Sequence, residues 1–323
     1  MTYPDNNVLV ACELSPDGAI PEAVAELCGA ASTIGTPVVL AISPAEISQE
    51  SQDLLAQAGA AYIATADSAQ ASLEFAIDAL EQATAEFSPV ATLCLADSFG
   101  SDLAGRASVR LKQALLTDVT GVDRDEEGII AYHSVLGDSY RVTSAATFGS
   151  PIITLRPGVV EVRAKAGAGE TVSLNVNART KNAAITEAIQ TESSATRPAL
   201  TSAKTVVSGG RAFSSKEEFG AVEKLADALG AAIGASRAAV DAGCVDRSAQ
   251  VGQAGTSIQP NLYFALGISG ALQHLTGMQA SKHIIAVNKD EQAPIFEVAD
   301  FGVVGDVFEV VPQLTALLEQ RKG

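Results

Sequence analysis

Residues 250–274 read QVGQAGTSIQPNLYFALGISGALQH, a stretch that places two glycine-rich turns on either side of one short apolar strand. Gly252 and Gly255 let the first turn adopt positive φ angles and bring its backbone N–H groups close to an anion. Gly267 and Gly270 form the second turn, just before a predicted helix whose first N–H groups suit a pyrophosphate. Glycine turns before helices also occur in proteins that bind no ligand. The stretch therefore predicts a strand–turn–helix unit of an α/β domain, with nucleotide binding as the hypothesis to be weighed.

The first half of the chain alternates between apolar runs of strand length and segments of helical periodicity. Helices of about 10 to 15 residues between strands are typical of parallel crossover units, so we predict a doubly wound, mostly parallel sheet flanked by helices. The predicted helices are PEAVAELCGAASTIG, SQDLLAQAG, ASLEFAIDALEQATAEF and a segment from about residue 102 to residue 116. No helix is predicted over residues 118–176, where GIIAYHSVL, YRVTSAATF, PIITLR and ETVSLNVNA read as antiparallel strands that extend the same sheet.

A change in composition divides the chain, whose 323 residues exceed what one hydrophobic core usually organises. Residues 180–203 are rich in Thr and Ser and are interrupted by Pro198, which is typical of a linker. Strands and helices alternate again after it, ending in a helix predicted to begin at Pro312. We therefore predict two α/β domains, one over residues 1–197 and a smaller doubly wound one over residues 204–323.

Composition and charge narrow the functional classes. Hydrophobic residues make up 47% of the chain, yet polar or charged residues interrupt every apolar stretch short of the roughly 18 needed to span a bilayer, so we expect no membrane protein. The first residues lack the features of a secretory signal or a transit peptide, which makes the cytoplasm the expected compartment. A net charge of −17 argues against nucleic acid as a partner and suits either solubility or the docking of basic partners. The four cysteines form no CxxC or Cys/His cluster, so no metal site is predicted.

Several uncommon segments of the second predicted domain occur together. They read VVSGGR at 206–211, IGASRAAVDAG at 233–243, QVGQAG at 250–255, GISGALQH at 267–274, AVNKDEQAPIFEVADFG at 286–302 and GDVFEVVPQL at 305–314. In this order and spacing they resemble the C-terminal half of the α subunit of electron transfer flavoproteins. FGSDLAGRASVRL and LRPGVVEV, in the first domain, resemble the family more weakly. The resemblance implies a small, Rossmann-like FAD-binding second domain and a nucleotide-hydrolase-like first domain without flavin contacts.

The resemblance also implies which residues contact FAD. They are Arg211, Ser236, Arg237, Gln250, Val251, Gly252, Gln253, Ala254, Ser269, Gly270, Ala271, Leu272, Gln273, His274, Asn288, Asp306 and Val307. By similarity, Arg211 and Ser236 would contact the phosphate and flavin regions, and residues 251–254 would run along the isoalloxazine edge. Residues 269–274 would bind the pyrophosphate at a helix start. The last three residues of the set would hold the ribose and the adenine.

Two of these residues would tune the redox chemistry. By resemblance, Arg237 lies over the flavin ring and His274 donates to the pyrimidine oxygen, and both would stabilise reduced flavin, which carries negative charge near N1 and O2. Each has a simpler alternative: Arg237 lies one helical turn before Asp241 and could pair with it, and His274 could make a structural hydrogen bond. Ala254 stands where the family commonly has a threonine whose hydroxyl lies at flavin N5. Thr256 could take that role only if the loop shifts.

The resemblance implies an electron carrier rather than an enzyme. Paired with an electron transfer flavoprotein β subunit, the chain would accept electrons one at a time from flavin dehydrogenases, such as acyl-CoA dehydrogenases, and pass them to a quinone oxidoreductase. The sequence contains no GxSxG elbow, GxxxxGK[ST] phosphate loop or GxGxxG fingerprint. Two alternatives stay open. One is a nucleotide-binding subunit for assembly or regulation without flavin function, and the other is a flavin oxidoreductase or an electron-bifurcating subunit.

Overall fold

The computed structural model describes residues 3–15, 18–69, 72–136, 139–177 and 197–322. The chain divides into two compact units, one built on a nine-stranded sheet and the other on a five-stranded sheet. Helices flank both sheets, so the predicted α/β class with two mostly parallel, doubly wound sheets is confirmed. No helix within these ranges is long and apolar enough to cross a membrane.

The first unit begins with a strict alternation of strands and helices and ends with strands alone. Its elements are β1 (Asn7–Glu13), α1 (Ala23–Ile34), β2 (Thr36–Ser43), α2 (Gln49–Gln57), β3 (Tyr62–Asp67), α3 (Leu73–Phe87), β4 (Ala91–Leu95), α4 (Ser98–Leu111), β5 (Leu115–Arg124), β6 (Ile129–Val135), β7 (Tyr140–Ala145), β8 (Ile152–Leu155) and β9 (Glu170–Ser173). The strands lie in the order β7-β6-β5-β8-β4-β1-β2-β3-β9.

The central strand β1 is buried on both faces, which explains its almost continuous apolar sequence NVLVACE. Val8 and Val10 pack into the hydrophobic cluster that contains the buried residues of α1. Leu9 and Ala11 pack into the opposite cluster, with the buried residues of α3 and α4. Helices therefore cover both sides of this sheet, as a doubly wound connection requires.

The helix predicted over residues 102–116 lies earlier in the chain than expected. Asp97 accepts a hydrogen bond from the backbone N–H of Gly100 at 2.7 Å, and this N-cap starts α4 at Ser98. Lys112 adopts a left-handed conformation with a φ of +55° and ends the helix after Leu111. Leu115 and Leu116, the last residues of the predicted helix, belong instead to β5, a strand that the sequence pattern did not separate from the helix.

Two of the strands predicted to be antiparallel are parallel. GIIAYHSVL forms β6, which pairs antiparallel with β5 as expected. PIITLR forms β8, which lies between β4 and β5 and is parallel to both, and ETVS forms β9, which is parallel to β3 at the sheet edge. All four residues of β8 are buried, and an apolar run without alternation is typical of an internal parallel strand. The edge strand β9 is mostly exposed, and its sequence has no comparable feature that indicates strand direction.

The second unit is smaller and its sheet is fully parallel. Its elements are β10 (Thr205–Gly209), α5 (Lys216–Leu229), β11 (Ala232–Ala235), α6 (Arg237–Asp241), β12 (Leu262–Leu266), α7 (Leu272–Leu275), β13 (Ile284–Asn288), α8 (Ile295–Val298), β14 (Phe301–Val304) and α9 (Val307–Lys322). The strand order is β11-β10-β12-β13-β14, and all neighbours are parallel. After β10 the chain therefore adds β11 along one edge of β10, and it then returns to add β12 along the other edge.

The two faces of this sheet are covered differently. The long helices α5 and α9 cover one face, where Phe219 and Val311 pack with Val207. The other face is covered by loops and by the short helices α7 and α8, which have four residues each. Loops that follow the strands therefore lie close to the sheet on the second face.

Two helices of the second unit differ from the sequence expectation. α9 begins at Val307 rather than at Pro312, because Asp306 accepts a hydrogen bond from the backbone N–H of Phe308 at 2.8 Å and caps the helix. Pro312 lies inside the helix, where it lacks the N–H that would bond to the preceding turn. The helix predicted in GALQHLTG is reduced to α7.

The predicted linker, residues 180–203, lies mostly outside the described residues. Its last part is described: Ala203 is buried in the second unit and Leu200 packs against the same cluster. The predicted domain limits, 1–197 and 204–323, stay predictions.

We expect Phe219→Ala to lower the free energy of unfolding of the second unit by about 3–5 kcal/mol. Phe219 is fully buried and packs edge-on against Phe213, with ring centres 5.7 Å apart. Phe301→Ala is the matched control, because Phe301 is 62% exposed. Urea denaturation followed by circular dichroism measures both variants. Equal losses would contradict the described packing.

Candidate functional site

A cavity of about 510 Å³ lies at the carboxyl ends of β10, β11 and β12. Strand order reverses at β10, and the crevice at such a reversal is where open parallel sheets bind ligands. The walls come from the turns after these strands, from the loop at 250–254 and from α7. The lining residues are Arg211, Ser236, Arg237, Ala238, Asp241, Gln250, Val251, Gly252, Gln253, Ala254, Ile268, Ser269, Ala271, Gln273 and His274.

Most of the predicted FAD-binding residues thus line one cavity. Those that do not line it are Gly270, Leu272, Asn288, Asp306 and Val307. Three lining residues were not predicted, namely Ala238, Asp241 and Ile268. The sequence held a signal for Asp241, since its spacing from Arg237 places both residues on one side of a helix. Ile268 lies in the glycine-rich turn between Gly267 and Gly270 and is 2% exposed. Its apolar side chain looks like an ordinary core residue, so the sequence did not indicate that it lines a cavity.

The two polar residues outside the cavity have structural partners. Asn288 donates from Nδ2 to the carbonyl oxygen of Ile268 at 2.9 Å and so fixes the turn after β12. Asp306 caps α9, as described above. Both lie at the ends of β13 and β14, further along the same sheet edge. The predicted roles of these residues at the ribose and adenine stay predictions.

The three apolar or glycine positions outside the cavity are placed differently from one another. Val307 is buried in the core beneath α5, and Leu272 is 67% exposed. Gly270 has a φ of +86°, and a Cβ at that position would lie 2.2 Å from the backbone nitrogen of Ile295. Gly270 therefore allows a close turn behind the cavity wall.

The loop at 250–254 is held against α7 by its backbone. The N–H of Gln253 donates to the carbonyl oxygen of Gln273 at 2.7 Å. Gly252 has a φ of +136°, and a Cβ there would lie 2.6 Å from the same carbonyl oxygen. On the other side, a Cβ at Gly277 would lie 2.4 Å from the Cα of Gly252. Only glycine at these two positions allows the loop and the end of α7 to approach so closely.

Ala254 leaves its part of the cavity wall without a side-chain donor. Its carbonyl oxygen accepts a hydrogen bond from Nε2 of Gln250 at 2.9 Å, which closes the loop. The N–H of Thr256 donates to the carbonyl oxygen of Gln250 at 2.7 Å. Thr256 is not among the residues that line the cavity, so its possible role near flavin N5 stays a prediction that requires a shift of the loop.

Arg237 forms the ion pair that was its simpler alternative. Its Nε lies 3.4 Å from Oδ2 of Asp241, and the two side chains are 76% and 66% exposed. Ser236 accepts a hydrogen bond from the backbone N–H of Ala239 at 3.4 Å and thereby caps α6. The Arg237 guanidinium is thus at the cavity mouth, held weakly by an exposed carboxylate and able to turn to another anion.

His274 is the most perturbed group of the site. It is 6% exposed, and its Nε2 lies 2.8 Å from the hydroxyl oxygen of Tyr263. Burial lowers the pKa of His274 to about 4, and the nearby Val251 backbone opposes this only in part. The imidazole is therefore neutral at neutral pH, so it cannot act as a cation in this state. Its role as a hydrogen-bond donor to flavin stays a prediction.

The charges of the site suit the binding of an anion more than acid–base chemistry. Arg211 lines the cavity and has no ion-pair partner among the described residues. In the same part of the chain, no group of His, Cys, Asp and Glu side chains could hold a metal ion. The arrangement offers cations, glycine-rich backbone and a neutral imidazole around one cavity.

We expect the buried imidazole to make stability depend on pH. The pKa of His274 is about 4 in the folded chain, so as the pH falls the unfolded state takes up this proton first, near its ordinary pKa of about 6.5. The contribution of neutral His274 to the free energy of unfolding is complete above pH ~6.5. It is lost as the pH falls towards 4, which lowers the free energy of unfolding by up to about 3 kcal/mol. His274→Gln should remove this part of the pH dependence in urea denaturation. His283→Gln, at an exposed histidine, is the control, and an unchanged slope in His274→Gln would contradict the assignment.

Comparison with known proteins connects this cavity to one family. Residues 199–279 match the electron transfer flavoprotein FAD-binding domain, and residues 8–182 match the electron transfer flavoprotein domain. The chain is 47% identical to the electron transfer flavoprotein subunit alpha of Mycobacterium leprae (strain TN) over 310 residues, which is 95% of this chain and 96% of the relative. It is 46% identical to that of Mycobacterium tuberculosis (strain CDC 1551 / Oshkosh), with the same coverage. It is 43% identical to that of Syntrophomonas wolfei over 73% of this chain and 74% of the relative. The chain therefore belongs to the family of electron transfer flavoprotein alpha subunits and has the FAD-binding domain of that family.

Proposed function

We propose that this chain is the FAD-carrying subunit of a cytoplasmic electron carrier. In this proposal it accepts electrons one at a time from flavin dehydrogenases, such as acyl-CoA dehydrogenases, and passes them to a quinone oxidoreductase. The observation that supports it is the cavity at the reversal of strand order, where most of the implied FAD contacts converge. Bound FAD would supply the redox chemistry through its isoalloxazine ring. No substrate bond is made or broken, so the protein is a carrier rather than an enzyme.

The residues of the cavity fit FAD. Its volume of about 510 Å³ lies within the range of ligand sites. The close approach at Gly252 brings the backbone to the cavity wall without a side chain between them. Arg211 has no ion-pair partner among the described residues. Its guanidinium is therefore available to bind the negatively charged pyrophosphate. The buried Nδ1 of His274, a residue that lines the cavity, has no hydrogen-bond partner among the described residues, so this side chain retains one unsatisfied polar atom.

The side chains would act by binding and by electrostatics. Arg237 can exchange its exposed pairing with Asp241 for a contact with the flavin, since an exposed ion pair contributes little stability. A guanidinium that stacks on the ring favours the negative charge that reduction places there. His274 is a neutral, polar side chain in the buried part of the cavity. A charged side chain there would have a higher free-energy cost of burial.

We further propose a heterodimer with a β subunit. The relatives named above are called alpha subunits, which supports a second chain in the functional carrier. The Arg237 side chain is 76% exposed at the cavity mouth, and a partner at that mouth would exclude water from the flavin. The flavin would then be bound well only in the complex.

The test of the proposed function is the composition of the protein purified from its native host. We expect the visible absorption of oxidised flavin, one FAD per chain and a 1:1 complex with a second polypeptide. A bound nucleotide without flavin absorption would support the assembly subunit instead. A monomer fully loaded with FAD would contradict the proposed heterodimer, and a second flavin in the partner would support a bifurcating subunit.

Arg237→Ala separates the redox role from the ion pair. If the guanidinium stacks on the ring, we expect the first one-electron potential of bound flavin to fall by on the order of 30–60 mV, since ~59 mV is a tenfold change for one electron. Arg237→Lys should recover part of the loss, because the charge remains and the planar contact does not. The matched control is Arg247→Ala, at a nearby exposed arginine that does not line the cavity.

A reductive titration of the FAD-loaded complex measures these potentials. If Arg237 serves only the pair with Asp241, its loss lowers stability by roughly 0.3 kcal/mol and leaves the potential unchanged. Equal potentials in the wild type and Arg237→Ala, with equal FAD content, would rule out the redox role.

A further inference from the structure

One carboxylate lies in the cavity wall, that of Asp241. Among the described residues that line the cavity, Arg211 and Arg237 carry a positive charge, and only Asp241 carries a negative charge. Its side chain is 66% exposed, so the carboxylate is accessible to a bound molecule. A carboxylate repels the negative charge of a pyrophosphate and of reduced flavin. The binding of an anionic cofactor therefore does not by itself explain why Asp241 lies in this wall.

The stability of α6 does not explain this carboxylate either. The helix begins at Arg237 and ends at Asp241. A helix has partial positive charge at its N-terminal end and partial negative charge at its C-terminal end, so both side chains lie at the end that is unfavourable for their charge. An ion pair at this spacing also stabilises a helix less when the basic residue comes first. The two charges are better explained by the cavity that they share.

The contact between the two side chains is weak. Nε of Arg237 lies 3.4 Å from Oδ2 of Asp241, which is longer than the about 2.7–2.9 Å of a hydrogen bond between charged groups. By comparison, Arg156 of the first unit donates to both carboxylate oxygens of Asp118, at 3.0 Å and 2.7 Å. Within the described residues, the pair at the cavity has no such double hydrogen bond, and the Arg237 side chain is 76% exposed. Its guanidinium can therefore leave Asp241 for another acceptor at little cost.

We propose that Asp241 is a positioning residue that competes with bound flavin for the Arg237 guanidinium. This inference rests on the proposed FAD site. While Arg237 pairs with Asp241, the carboxylate neutralises part of its charge, and while Arg237 contacts the flavin, that charge favours the reduced cofactor. Negative charge on reduced flavin shifts this equilibrium away from Asp241. The carboxylate thereby limits how strongly Arg237 favours reduction, and it holds the potential below the value that Arg237 alone would set.

The first test needs no flavin. In the full-length chain without cofactor, NMR measures how fast the Nε–H of Arg237 exchanges with water, and Arg237→Ala identifies its signal. We expect roughly twofold faster exchange in Asp241→Asn, since an exposed ion pair has a stability of this order. Asp246→Asn is the matched control, because it removes the same charge from an exposed residue that does not line the cavity. Equal exchange rates in the wild type and Asp241→Asn would overturn the pairing and the proposal with it.

The second test measures the potential of the FAD-loaded complex with its partner chain. We expect Asp241→Asn to shift the first one-electron equilibrium about threefold towards reduced flavin, a rise of ~30 mV at ~59 mV per tenfold change. Asp241→Glu keeps the carboxylate and should restore most of the wild-type value. Asp246→Asn should change the potential less than Asp241→Asn does. An unchanged potential in Asp241→Asn would overturn the proposal.

A double-mutant cycle separates competition for Arg237 from a direct effect of the carboxylate on the flavin. If Asp241 acts through Arg237, Asp241→Asn should raise the potential less in the Arg237→Ala protein than in the wild type. An equal or larger rise in the Arg237→Ala protein would overturn the competition. A chain that binds no flavin in any of these variants would overturn the proposed function and the flavin part of this inference, while the pairing measured without cofactor would stand.

Discussion

The cavity depends on places where two stretches of backbone meet with no side chain between them. Gly252 and Gly277 bring the loop at 250–254 against the end of α7, and a Cβ on either would overlap main-chain atoms of the other segment. Gly210 does the same after β10, because its added Cβ would lie 2.1 Å from the carbonyl oxygen of Gly267 after β12. Main-chain atoms cannot move aside as a flexible side chain can. The positions of the turns around the cavity are therefore fixed by steric exclusion more than by any one hydrogen bond.

Behind the turns that line the cavity, burial has a free-energy cost for the polar side chains of the site. Ser208, Tyr263 and His274 lie in a largely apolar layer with Val251 and Met278. A buried polar group without a partner lowers stability, and charged groups in such a layer do so more strongly. Tyr263 and His274 reduce this cost by sharing a hydrogen bond, whereas Oγ of Ser208 has no partner among the described residues. Burial lowers the pKa of His274, so the imidazole is neutral there. The cations of the cavity, Arg211 and Arg237, lie instead where water reaches them.

Much of the fold could be predicted from local patterns, because alternating apolar runs and helical spacing come from the chain itself. The glycine spacing in residues 250–274 pointed to the correct turns for the same reason. What could not be predicted depends on distant partners. The direction of β8 follows from its place between β4 and β5, and the start of α9 follows from a cap at Asp306 rather than from Pro312. The hydrogen bond between Tyr263 and His274 joins a strand to a separate helix, and nothing in the run LYFAL distinguishes this tyrosine from an ordinary core residue.

The unequal cover on the two faces of the second sheet affects how the site can move. Global unfolding must separate α5 and α9 from the sheet, whereas the cavity side is closed only by four-residue helices and loops. Segments with few buried contacts open at a lower free energy than the core does. We therefore expect any local opening of this unit to begin on the cavity side, while the opposite face keeps the strands in register. A large cofactor could enter or leave by such local opening, and its binding would in turn suppress that opening.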